Sequence, residues 1–77
     1  MNESHSEAIS HTINVVSDLR DWFLGTRNTA NGEGMIRFAV DCDAQAARCK
    51  RLLATLQRTL DDNQNAVRVA RKAVGDE

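Results

Sequence analysis

Between Met35 and Val74 the chain contains neither glycine nor proline, the residues that most often interrupt a helix. Apolar residues recur there at alternating spacings of four and three, and of twelve such positions only Asn63 is not Met, Ala, Cys, Leu or Val. This spacing is typical of an amphipathic helix packed along a seam. It predicts a long helix over about residues 35–74. The twelve positions are Met35, Ala39, Cys42, Ala46, Cys49, Leu53, Leu56, Leu60, Asn63, Val67, Ala70 and Val74.

A shorter helix is predicted upstream, over about residues 4–24. Ser4 and Glu7 fit a capping box at its start, and Gly25 fits the glycine that often follows a helix. The segment 25–34, rich in Gly, Asn and Thr, is predicted to be a loop. The apolar positions of this first helix are Ile9, Ile13, Val16, Leu19 (or the aliphatic part of Arg20) and Phe23.

These elements, in a chain with no proline and few aromatic residues, predict an all-α fold and one helical domain over residues 1–77. We expect an antiparallel hairpin of a short and a long helix. A helix of about 40 residues is ~60 Å long, whereas one of about 20 residues spans ~30 Å. The first helix would then leave the seam uncovered beyond about Leu56.

Two arrangements would cover this second half of the seam. In the first, the long helix is continuous and the chain assembles into a homodimeric helical bundle, in which Asn63 pairs across the interface or lies half-exposed at its edge. In the second, the helix breaks near residues 61–63 and the chain forms a monomeric three-helix bundle. The lack of glycine and proline favours the continuous helix. The residues expected to mediate self-association are Leu56, Leu60, Asn63, Val67, Ala70 and Val74.

No pattern of residues indicates catalysis, a cofactor or a metal site. Cys42 and Cys49 lie seven residues apart on one helix face, too far for a disulfide within that helix, and fit small buried side chains. His5 and His11 fall on different faces of the first helix and do not form a ligand pair. We therefore expect a protein that is not an enzyme and has no cofactor.

The N-terminus is polar, without the basic start and apolar run of a signal peptide. No apolar stretch approaches the ~20 residues that span a membrane. We expect a cytoplasmic protein that does not bind membranes.

Charge is divided between the two halves of the chain, although the net charge is only −1. Residues 1–34 carry two basic and five acidic side chains, whereas residues 35–74 carry eight basic and four acidic. This favours contact between the two parts, or between one part and another copy. Trp22 either contacts a partner protein or packs on Ile36 or Phe38. The other expected partner contacts come from the predicted loop, and are Arg27, Asn28 and Asn31.

The leading hypothesis is a small interaction module that associates with itself and with another protein as a regulator, inhibitor, adaptor or chaperone. The alternative is a helical dimer that binds nucleic acid through the basic outer face of the second helix. The net negative charge and the interspersed aspartates make this alternative weaker. Its candidate residues are Arg48, Arg51, Arg58 and Lys72.

Overall fold

A computed structural model describes the backbone of residues 2–75 and the side chains of residues 5–75. In this part of the chain there are two α-helices, α1 (Asn2–Gly32) and α2 (Ile36–Val74), and no strand. The predicted all-α class is confirmed. Since α2 runs without interruption through Asn63, the continuous helix is also confirmed, and the predicted break near residues 61–63 is wrong.

The two helices lie side by side and run in opposite directions. Close to the turn, a guanidinium nitrogen of Arg27 lies 2.8 Å from a carboxylate oxygen of Asp43. At the other end, the side-chain amide of Asn63 donates a 2.7 Å hydrogen bond to the hydroxyl of Ser6. The helix pair forms a rod with principal extents of 64 × 15 × 13 Å.

The predicted loop over residues 25–34 is wrong, because α1 continues through Gly25 to Gly32. It also begins at Asn2, two residues before the predicted cap Ser4. The apolar spacing explains the extension, since Arg27 and Ala30 continue the repeat beyond Phe23 and Ala30 is buried. Packing of that face outweighs the weak helix propensity of Gly, Asn and Thr.

The connection between the helices consists only of residues 33–35. The Met35 N–H donates to the Ala30 carbonyl at 2.8 Å, and the Gly34 N–H donates to the Asn31 carbonyl at 3.1 Å. These two bonds and the positive φ of Gly34 (78°) form a Schellman motif, which satisfies carbonyls at the end of α1. The glycine that ends α1 is therefore Gly34 and not Gly25.

The buried core is a narrow line of small side chains between the helices. On α2 it uses four consecutive positions of the predicted seam, and Cys42 and Cys49, neither in a disulfide, are small buried groups as predicted. Ala46 is the most buried residue, at 1% exposure. The larger seam residues that follow on α2 are half-buried, namely Leu53, Leu56 and Leu60. The buried residues are Val16, Ala30, Ala39, Cys42, Ala46 and Cys49.

We expect Ala46→Leu to lower the free energy of unfolding by about 1–3 kcal/mol, because extra methylenes cannot fit at the closest point between the helices without moving them apart. Ala44→Leu is the matched control, since Ala44 is exposed on the same helix. Urea unfolding followed by helical circular dichroism measures both variants. Equal stability of the two variants would contradict the close packing at Ala46.

Glycine substitutions test the revised end of α1. Gly25→Ala should stabilise the protein by about 0.5–1 kcal/mol, because alanine is the better residue inside a helix. No atom lies within 4 Å of a Cβ added there. Gly34→Ala should destabilise it by roughly 1–2 kcal/mol, because a left-handed backbone disfavours a side chain. Chemical denaturation measures both, and a loss of stability in Gly25→Ala would restore Gly25 as the helix-ending residue.

Candidate interaction surfaces

Most of the residues predicted to mediate self-association face α1 of the same chain and are not left uncovered. Because α1 has 31 residues and not about 20, its Ser6 lies at the level of Asn63. The first helix therefore covers much of the seam that the sequence predicted to be uncovered. Beyond Leu56 the described seam is exposed only at Ala70 and Val74. The half-buried members of the set, which face α1, are Leu56, Leu60, Asn63 and Val67.

Asn63 has a polar partner within its own chain. Its amide donates to the Ser6 hydroxyl, and both side chains are partly buried. A polar pair inside an apolar seam favours one register, because sliding one helix would leave the amide facing apolar groups. The sequence interpretation missed Ser6, although it lies three residues before Ile9 and so extends the same apolar face.

Two arginines occupy seam positions of α1 and place their charged ends at its edge. Arg20 is bonded to Ser17 at 3.2 Å and to Asp21 at 2.9 Å. Arg27 reaches across to Asp43. Their side chains are 30% and 33% exposed, as expected when an aliphatic stem covers apolar surface and the guanidinium stays in water. Of the two residues suggested by the sequence, Arg20 and not Leu19 therefore faces α2.

Trp22 is the most exposed aromatic side chain in the described chain, at 59%. Its ring meets Phe23 edge-on, with centroids 5.2 Å apart. The alternative in which Trp22 packs on Ile36 or Phe38 is wrong. Trp22 lies ten residues before the end of α1, which displaces it by ~15 Å along the helix axis from the residues that follow the turn.

The other predicted partner contacts, Arg27, Asn28 and Asn31, are not in a loop but in the last turns of α1. Together with Val40 and Asp43 of α2 they line a shallow groove of mixed polar and apolar surface. Trp22 does not border this groove. The four candidates therefore do not form one surface.

The side of the helix pair opposite this groove carries a stripe of exposed apolar side chains. Val15, Leu19 and Trp22 are 51%, 45% and 59% exposed and repeat at spacings of four and three, each one position before a seam residue of α1. Leu52 of α2, 47% exposed, lies directly before the seam residue Leu53.

In antiparallel helices the positions that precede the seam residues lie on the same side of the pair. The contacts of residue 27 with 43 and of residue 6 with 63 place Leu19 level with Leu52. We call Val15, Leu19, Trp22 and Leu52 the apolar flank.

The candidate nucleic-acid contacts are all exposed on α2. Arg51, Arg58 and Lys72 share the edge farthest from α1, and Arg48 lies between this edge and the apolar flank. Among the described residues none of the four makes an ion pair. All four side chains therefore lie on the part of α2 that faces away from α1.

Among the described residues, no three His, Cys, Asp or Glu side chains are grouped closely enough to hold a metal ion. Neither described helix contains an apolar stretch of the length and hydropathy needed to cross a bilayer.

Comparison with models of known protein families, with curated proteins and with solved structures gave no match. The interaction surfaces are therefore interpreted from the geometry of this chain alone.

Proposed function

We propose that this chain is a small, non-enzymatic protein–protein interaction module that self-associates as a helical hairpin and acts in the cytoplasm as a regulator, inhibitor, adaptor or chaperone of a larger protein. The observation that carries this proposal is the apolar flank. Four large apolar side chains on one side of the rod are each about half exposed. Contiguous exposed apolar surface of this kind commonly marks a site of protein association.

The thin core supports the same proposal. Two packed helices share one seam, and the fully buried residues of this seam are nearly all alanine and cysteine. A chain of 77 residues with so little buried apolar surface has marginal stability by itself. Association that covers the flank would stabilise the fold by mass action.

A second protein has a separate surface available. The groove beside Arg27, Asn28 and Asn31 is lined by both polar and apolar groups, and its Arg27–Asp43 pair can exchange hydrogen bonds with a partner. Charged and polar contacts of this kind contribute more to the specificity of binding than to its affinity. We therefore assign self-association to apolar surface and recognition of the larger protein to this groove.

The first test is the mass of the chain in solution. Light scattering or sedimentation equilibrium at micromolar concentrations should give a discrete species with twice the 8.5 kDa of one chain. Helical circular dichroism should increase with concentration over the same range, because association stabilises folding. A fully helical species of single-chain mass at every concentration would refute self-association.

Nucleic-acid binding remains the second candidate function. It is supported by four exposed basic side chains that make no ion pair with another described residue, namely Arg48, Arg51, Arg58 and Lys72. It predicts retention of labelled duplex DNA that weakens steeply as salt rises. The double variant Arg51→Glu with Arg58→Glu should abolish this retention.

The matched control for that test is Lys50→Glu with Arg71→Glu, which changes the net charge equally on the side away from the basic edge. Equal binding by the two variants would show attraction to overall charge only. Binding that survives Arg51→Glu with Arg58→Glu would exclude this function for the basic edge.

A further inference from the structure

We infer that the apolar flank is the face on which a second copy of this chain packs, with α1 of each copy lying against α2 of the other in a four-helix bundle. This inference rests on the proposed self-association. It replaces the seam residues of α2 predicted from the sequence with a different surface, and it fixes which helices meet.

The flank carries no charged side chain along α1. A two-fold interface brings a surface against its own copy, so charged groups near the axis would meet like charges. The α1 positions of the stripe contain no Asp, Glu, Lys or Arg over three heptads. In order these positions are Ala8, Thr12, Val15, Leu19, Trp22, Thr26 and Thr29.

The other side of the helix pair, which carries the groove beside Arg27, has charged residues on both helices. Its α1 positions, each directly after a seam residue, include Glu7, Ser17 and Asp21, and its α2 positions include Asp43, Lys50 and Arg71. A second copy packed there would bury charged and hydroxyl groups. Of the two sides, the apolar flank is therefore the one that favours a matching copy.

The net charges of the two helices indicate which helices meet in the dimer. A two-fold axis parallel to the rod places α1 over α2 of the second copy, and an axis across the rod places α1 over α1. Within its bounds α1 has two basic and four acidic side chains, whereas α2 has eight basic and four acidic. The parallel axis therefore sets opposite net charges against each other, and every neighbouring pair of helices is antiparallel.

This arrangement makes a specific ion pair at its edge. The cross-helix register places Asp18 level with Arg51, because these residue numbers sum to nearly the same value as 27 and 43 or 6 and 63. Within one copy Asp18 and Arg51 lie on opposite edges, both are exposed, and neither makes an ion pair with another described residue. In the bundle Asp18 of one copy reaches the same edge as Arg51 of the other.

Trp22 gains a partner in the same way. At its level on α2 lies Arg48, directly outside the flank on the side away from the seam. In the bundle the indole of one copy would face the guanidinium of Arg48 in the second copy, a favourable cation–π arrangement. This explains an exposed tryptophan next to a basic residue without an ion pair.

The test compares the masses of two double variants by sedimentation equilibrium. Leu19→Asp with Trp22→Asp should reduce the particle from twice the chain mass to 8.5 kDa. Ile36→Asp with Val40→Asp is the matched control, because Ile36 and Val40, at 60% and 61%, are at least as exposed as Leu19 and Trp22 and lie on the other side. The control should keep the wild-type mass. A flank variant that keeps the wild-type mass, or a control that dissociates, would overturn the flank assignment.

A charge exchange tests the pairing without disturbing the apolar surface. Asp18→Arg and Arg51→Asp should each weaken dimerisation roughly three- to tenfold, and the double exchange should recover wild-type affinity. This result decides the matter even if the flank variant fails to fold. If the double exchange does not recover affinity, the α1-over-α2 pairing is overturned. A wild-type chain that is monomeric would instead refute the proposed self-association itself.

Discussion

The close approach of α1 to the small side chains of α2 determines most of this structure. Ala39, Cys42, Ala46 and Cys49 project little from α2, so α1 can lie close to its backbone. Dispersion contacts are thereby concentrated in one line, and the helices form a straight rod with a thin core. A two-helix structure has no second layer, so any further large apolar residue must lie at the side of the rod. That geometric limit is why Leu19, Trp22 and Leu52 are exposed.

Polar contacts at the two ends complement the apolar seam by defining its register. Apolar contacts alone would tolerate a shift of one heptad, because alanine and cysteine alternate along the first half of α2. Arg27 with Asp43 near the turn and Ser6 with Asn63 at the other end are satisfied together in a single register. The Schellman turn at Gly34 holds the same register by limiting the connection to three residues. Each pair contributes modestly, but all agree on one arrangement.

The apolar repeat made the second helix predictable, whereas local composition misled the interpretation of the first. The spacing from Met35 to Val74 identified both the helix and its buried face, because that signal arises from packing. Residues 25–32 have the composition of a loop, and only their contact with α2, a tertiary effect, makes them helical. This error shortened α1 and so made the seam beyond Leu56 appear uncovered. The information that could have corrected it was the continuation of the repeat through Arg27 and Ala30.

The same kind of repeat indicates the apolar flank, which the prediction of a single seam did not include. Val15, Leu19 and Trp22 follow the spacing of the core one residue earlier, which widens the apolar face of α1 beyond what one partner helix can cover. A helix that needs cover on two adjacent sides is a component of a bundle and not of an isolated pair. If a second copy supplies that cover, Leu19 and Leu52 become core residues of a four-helix structure, and the small side chains of the present seam remain where they are. Folding and association would then be linked, since the residues that stabilise the bundle are those that a single chain leaves in water.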